Sequence, residues 1–145
     1  MNLQDQVVSL ELAKQLKSEG YKQEGLWWWR HIPKVITGGA IISAGYELLP
    51  NSSKRTYASG LKCKIVAPTV AELGEALPNK VVKNKKEYGI EITKEDGYWC
   101  IQYFWDDGYD GGECLGHQIF IDFEATTEAD ARAKMWLYLK KERLL

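Results

Sequence analysis

The sequence predicts a single α+β domain, an antiparallel sheet of three to five strands with a C-terminal helix packed on one face and two shorter helices. Three observations lead there. Helical apolar spacing is confined to short stretches after Ser9, after Thr69 and after Thr127. Between the last two, Tyr88, Ile90 and Ile92 alternate with Gly89, Glu91 and Thr93, the pattern of a half-buried strand. A Lys94-Glu95-Asp96-Gly97 turn then leads straight into a second apolar run, which makes the pairing antiparallel.

The elements follow in order. Ser9 is placed to cap the first helix, with Leu10, Leu12, Ala13 and Leu16 on its apolar face and Val8 closing over Ala13 as a hydrophobic staple. Gly20 suits the left-handed position beyond its last turn, so this helix is expected over about 10–18. The bulky run at 25–32 favours a strand that Pro33 ends or marks as an edge. Residues 34–60 read as a loop-rich insertion. Ala40-Ile41-Ile42-Ser43 and Tyr46-Glu47-Leu48-Leu49 can form short strands, but Gly38-Gly39, Gly45 and Pro50-Asn51-Ser52-Ser53 interrupt them.

A short extended segment is expected at 62–67. Thr69 and Glu72 then form a capping box for a two-turn helix that buries Val70, Leu73, Ala76 and Leu77 and stops at Pro78. The strand at 98–105 places Trp99, Ile101, Tyr103 and Trp105 on one face, and Tyr98, Cys100, Gln102 and Phe104 on the other. Both faces are apolar enough to make this strand central in its sheet. Residues 106–116, with four glycines, connect it to a third strand at 118–123. Thr127 caps the last helix; Glu128 and Asp130 suit its positive end, and Lys140, Lys141 and Arg143 its negative end. Ala129, Ala133, Trp136, Leu137 and Lys140 share a face, widened by Met135 and Leu139.

At 145 residues the chain fits one domain, spanning 1–145, of a size that buries roughly 68–70% of its unfolded surface. Its net charge of −1, from 19 basic and 20 acidic side chains, argues against whole-protein steering towards nucleic acid or an anionic membrane. No stretch approaches the roughly 18 apolar residues of a membrane span. Residues 1–12, with Asp5 and Glu11, lack the apolar core of a secretory signal. Cys63, Cys100 and Cys114 make an odd count, in keeping with free thiols and a cytoplasmic location. Lys80, Lys83, Lys85 and Lys86 form a basic cluster and Asp106, Asp107, Asp110 and Glu113 an acidic one; both read as solvated loops.

No catalytic set is nominated. His31 and His117 stand in unrelated contexts, and no nucleophile elbow, phosphate-cradling loop or H-E-x-x-H occurs. Cys114-Leu115-Gly116-His117 has a C-x-x-H spacing, with Cys100 on the preceding strand. A structural zinc needs four ligands, and the fourth would have to come from Asp110, Glu113 or a distant group, so no metal and no cofactor is assigned. The acidic loop at 106–113 lacks the ligand order of a calcium loop.

The candidate binding residues cluster around a row of tryptophans. Trp27, Trp28 and Trp29 are consecutive, and in a strand Trp28 must point away from its two neighbours. One face of the row therefore needs a second apolar surface, a ligand or a partner. Arg30, Lys34 and Arg55 are cations that can accompany it, meeting phosphate if the ligand is a nucleotide. Trp99, Trp105 and Trp136 stand instead at core-facing spacings.

Three segments carry a resemblance. The opening Ser9-Leu10-Glu11-Leu12-Ala13-Lys14-Gln15-Leu16-Lys17, with Gly20-Tyr21-Lys22-Gln23-Glu24 and the aromatic row, is similar to small uncharacterised proteins of bacteriophages, prophages and integrative mobile elements. So are Ala67-Pro68-Thr69-Val70-Ala71-Glu72-Leu73 and the closing helix from Thr127 to Leu139. The shared positions are mostly caps and core residues, so the resemblance implies a setting, an infected or lysogenic bacterial cell, more than an activity. It implies a non-catalytic binding protein that engages a host protein, in a host-modulating or counter-defence role. The alternative is a small-molecule binder that sequesters a nucleotide. Single-stranded nucleic acid is a weaker third partner because of the near-neutral charge. The sequence indicates no oligomeric state.

Overall fold

The computed structural model of the protein describes residues 2–35, 41–51, 64–106, 109–110, 113–114 and 117–145, with backbone alone at 33–35, 41–44, 106, 109–110, 113–114 and 117. The α+β class holds. Among the described residues are helices α1 (Leu10–Ser18), α2 (Val70–Ala76) and α3 (Glu128–Lys141), and two antiparallel sheets. The first sheet has the order β2-β1-β3, from β1 (Trp27–Val35), β2 (Ile41–Pro50) and β3 (Lys64–Val66). The second has the order β4-β5-β6-β9, from β4 (Lys80–Lys83), β5 (Lys86–Glu95), β6 (Tyr98–Asp106) and β9 (His117–Ala125). A small ribbon pairs β7 (Tyr109–Asp110) with β8 (Glu113–Cys114).

Helix α1 buries Ala13 and Leu16. Gly20, at φ +85, sits where the chain turns left-handed. The Tyr21 N–H donates to the Leu16 carbonyl and the Gly20 N–H to that of Lys17, the two bonds of a Schellman motif. The expected Ser9 side-chain cap does not form. The Ser9 N–H donates instead to the Asp130 carboxylate at 2.8 Å, which ties the start of α1 to the first turn of α3. Just before it, Val7 bridges to Thr69, and the Val8 N–H reaches the Pro68 carbonyl at 2.9 Å.

Two corrections concern β1 and β2. Pro33 does not end β1, which runs on to Val35. Among the described residues β3 pairs only with Trp28, Trp29 and Arg30, and Pro33 stands in β1 opposite Ser43 of β2. The second concerns the loop-rich stretch at 34–60, within which 41–50 form one continuous strand. Gly45 does not break it. Opposite it the register slips between His31↔Tyr46 and Pro33↔Ser43, and Gly45 takes φ +118, a glycine accommodating a bulge. Positions 36–40 and 52–63 lie outside the described residues.

Helix α2 has its capping box. The Glu72 N–H donates to Thr69 Oγ1 at 3.2 Å, and Glu72 Oε2 accepts from the Thr69 N–H at 2.8 Å. The basic cluster at 80–86 is a hairpin rather than a loop. Lys80–Lys83 pair with Lys86–Gly89 around Asn84 and Lys85, whose φ values of +53 and +64 are those of a two-residue turn of type I′. The next turn is tighter than expected: Asp96 and Gly97 alone, at φ +48 and +85, join Glu95 to Tyr98.

β6 is internal, between β5 and β9. Ile101 and Tyr103 are fully buried beneath α3, whereas Tyr98 on the other face is half exposed. The reason for its central place is therefore pairing on both edges and not burial on both faces. α3 has the Thr127 cap, with Oγ1 accepting from the Asp130 N–H at 3.2 Å. Its buried set is Ala129, Ala131, Ala133, Met135, Trp136 and Leu139, wider than the stripe expected, and Lys140 is exposed. The cause is position: α3 packs on β6 and β9 on one side and on α1 and α2 on the other. Arg143 is not in the last turn but beyond it, at φ +58, in a second Schellman motif closed by Leu144 N–H to the Leu139 carbonyl.

Candidate functional site

The tryptophan row opens β1, and its members do not divide as alternation alone predicts: Trp28 and Trp29 both reach the core and Trp27 does not. Trp28 is 5% exposed within the core cluster. Its indole N–H donates to the Gly25 carbonyl at 3.2 Å, and Lys64 Nζ lies 4.3 Å from the ring centroid, a cation–π contact from the adjacent β3. Trp29 packs against the core cluster and donates its indole N–H to the Val8 carbonyl at 2.9 Å, which locks β1 to the segment leading into α1. Both rings thus have structural tasks.

Trp27 is only partly buried and is not among the hydrophobic side chains packed on the core. Beside it Leu26 is 67% exposed. Together with Pro50 and Asn51 they line a shallow depression of about 550 Å³. The Asn51 N–H donates to the Leu26 carbonyl at 2.7 Å, so the end of β2 is pinned against the start of β1. On the other flank the Leu26 N–H donates to Glu72 Oε1 at 3.3 Å, tying the same residue to α2. An apolar side chain held open by hydrogen bonds on both sides of its backbone cannot retreat into the core. This is the physical signature of a presented residue.

A second depression, of about 510 Å³, shares Asn51 and is lined by Lys17, Gln23, Glu24, Gly25, Trp28 and Lys64. Lys17 Nζ donates to the Lys64 carbonyl at 3.3 Å, and Gln23 accepts from the Val66 N–H at 3.2 Å. Gly25 is required here: a Cβ would stand 2.6 Å from Val66 Cγ2. Two lysines therefore border the apolar patch, and neither was singled out from sequence. Lys17 reads as a solvated helix residue and Lys64 as a strand end, so only the fold brings them together. Leu26 was missed for the same reason, since a leucine at the head of a strand reads as core.

Of the remaining residues expected at the site, Arg30 stands on β1 between Glu47 of β2 and Lys64 of β3. Lys34 belongs to β1 opposite Ile42, its side chain outside the described set, and Arg55 lies outside the described residues altogether. His31 packs edge-on against Tyr46 at 5.4 Å, its Nδ1 buried without a hydrogen bond.

Among the described residues no group of three or more His, Cys, Asp or Glu is placed to hold a metal ion; the Cys114 and His117 side chains lie outside that set. The Cys100 thiol is pushed up from its ordinary pKa by burial first and then by Asp122, Glu124, Glu95 and Glu91, which disfavours the nucleophilic thiolate. No described helix is long and apolar enough to cross a membrane. Comparison with protein-family models, with curated proteins and with solved structures returns no match.

Proposed function

We propose that this is a non-catalytic binding protein that captures a macromolecular partner through the surface formed by Leu26, Trp27, Pro50 and Asn51, with Lys17 and Lys64 at its border. The observation that carries the reading is the pairing of Leu26, 67% exposed, with a tryptophan that does not pack on the core. Tryptophan is enriched among the residues that dominate binding energy at protein interfaces, above all when an apolar neighbour helps exclude water. We take the partner to be a host bacterial protein met in the cytoplasm, in a host-modulating or counter-defence role, a reading that rests on the resemblance of the capped helices to phage and mobile-element proteins.

The test is affinity capture from a bacterial lysate with the native protein, Trp27→Ala and Leu26→Asp, read by mass spectrometry. A specific partner should be retained by the native chain and lost from both variants while their circular dichroism stays native. If both folded variants capture the same partner as the native chain, this surface is not the binding site.

A second reading is a nucleotide-sequestering pocket, favoured by the proximity of Lys17 and Lys64 to Trp28. It is the weaker one, because Lys64 already occupies a face of that ring and the ring is buried. A nucleotide panel in a thermal-shift assay separates the two: a ligand at a hundred times its Kd stabilises by about 2.7 kcal/mol. A flat panel leaves the macromolecular partner standing.

A further inference from the structure

Alternation along β4, β5, β6 and β9 sorts side chains onto two faces of the second sheet. The inner face, with Val81, Ile101 and Tyr103, is buried, with α3 packed on β6 and β9. The outer face is open: Val82 is 63% exposed, and Tyr98 and Ile119 are each 52% exposed. Among the described residues no helix is seen to pack on this face. Toward the β5–β6 turn this outer face is acidic. Register places Glu91 beside Gln102 with Asp122 beyond, Thr93 beside Cys100 with Glu124 beyond, and Glu95 beside Tyr98. All of these side chains except Asp122 line a depression of about 440 Å³. Among the described residues the one cation on this face is Lys80, already held by Glu87 at 2.6 Å.

We infer that this uncovered face is a second docking surface, and that its occupant is a basic amphipathic protein segment, with Lys or Arg set over Glu91, Glu95, Asp122 and Glu124 and apolar side chains over Val82, Tyr98 and Ile119. The argument is charge complementarity joined to exposed apolar area. A sheet face that carries bare Val, Ile and Tyr gains by burial, and its fixed negative charge selects the sign of what buries it. The same charge turns away nucleic acid and anionic lipid, and it opposes a second copy of the face. A metal ion is a poor occupant, since no described carboxylates converge to hold one. Register sets Cys100 between Thr93 and Glu124, with Glu91, Glu95 and Asp122 on the neighbouring positions of the same face. The surface belongs to a different sheet from the Leu26–Trp27 patch and does not depend on it.

The test uses the full chain and a fluorescein-labelled peptide built of Lys and Leu, read by fluorescence anisotropy and mapped by amide chemical shifts. The peptide should bind and a Glu–Leu counterpart should not, with the shifts confined to the outer-face residues of β5, β6 and β9. Glu91→Lys with Glu124→Lys should weaken binding about tenfold or more. Ile119→Asp should weaken it too, which a purely ionic contact would not require. Glu11→Lys with Glu19→Lys, exposed residues in the first turn of α1 and just past its end, is the control and should leave affinity unchanged. Should the reversal pair fail to fold, Glu95→Gln with Asp122→Asn removes charge without adding any, and it should weaken binding in the same direction. Equal losses from the α1 control, or shifts spread over the helices, would overturn the inference. So would an all-Lys peptide that binds as tightly as the Lys–Leu one.

Discussion

Replacing each tryptophan of the row by alanine, one at a time, should give three different losses of stability. Trp28 is 5% exposed, so its truncation removes nearly all the burial of a large aromatic. At roughly 150–250 Å² and about 25 cal/mol per Å² that is about 4–6 kcal/mol, and truncations of buried aromatics cluster at about 3–5 kcal/mol. We expect about 4 kcal/mol, a large share of the roughly 5–15 kcal/mol that holds a domain together. Trp29→Ala loses partial burial and leaves the Val8 carbonyl without its donor, for about 2–3 kcal/mol. Trp27→Ala should cost about 1 kcal/mol or less, because the ring does not pack on the core. Urea unfolding followed by far-ultraviolet circular dichroism measures all three without using tryptophan emission, which the substitutions themselves alter. A loss from Trp27→Ala equal to that from Trp28→Ala would refute the placing of Trp27 off the core and remove the ground for placing a partner there.

Two buried tyrosines should behave oppositely. The Tyr103 hydroxyl donates to the Pro78 carbonyl, so Tyr103→Phe should cost about 1–2 kcal/mol, whereas the Tyr21 hydroxyl is buried with no hydrogen-bond partner among the described residues and Tyr21→Phe should be neutral or stabilising in the same urea assay. Burial pushes both phenols up from 10.0 to about 12, with Glu72 and Glu75 adding to the effect at Tyr21. Folding then favours their protonated forms, so this contribution is full below pH 10.0 and lost as pH rises towards about 12; the Tyr103→Phe variant should lose less stability across that window than the native chain. Arg143→Gly should raise stability by about 1 kcal/mol, seen as a higher urea midpoint, since φ +58 strains any residue with a Cβ. Glu72→Ala should cost about 1–2 kcal/mol by removing the reciprocal half of the α2 cap together with the bond to the Leu26 N–H, and a double change with Thr69→Ala should be less than additive.

Where the chain was legible, the signals were local. The Thr69–Glu72 box and the Thr127 cap are short-range bonds, and each formed as its spacing predicted. The row of tryptophans did not divide by alternation, which sets Trp28 against both neighbours: Trp29 also packs on the core, where its indole N–H reaches the Val8 carbonyl, and Trp27 alone does not. Elements that escaped depend on partners. Lys80-Val81-Val82-Lys83 is too short and too charged to announce a strand, and it is one because Val81 seals the core while the rest pairs with β5. Gly45 reads as a breaker until a facing strand turns it into a bulge. The wide burial of α3 has no sequence period to betray it, because two layers cover it from different directions. The border of the candidate site was illegible for a related reason: Lys17, Asn51 and Lys64 come from a helix, a strand end and another strand, and no spacing along the chain connects them.

The bond from the Ser9 N–H to the Asp130 carboxylate spans 121 positions and joins the start of the first helix to the last. Closing a loop of that length costs about 4 kcal/mol in the length-dependent part of the chain entropy alone. α1 and α2 both rest on α3, so neither has its final surface until that late segment arrives. The hairpins β4–β5 and β5–β6, joined by two-residue turns, bear no such delay. A chain emerging from the ribosome will therefore hold hairpins early and an exposed amphipathic α1 for most of its synthesis. The last helix then gathers the layers in one cooperative step, and amide exchange in α1 should slow only when α3 has docked.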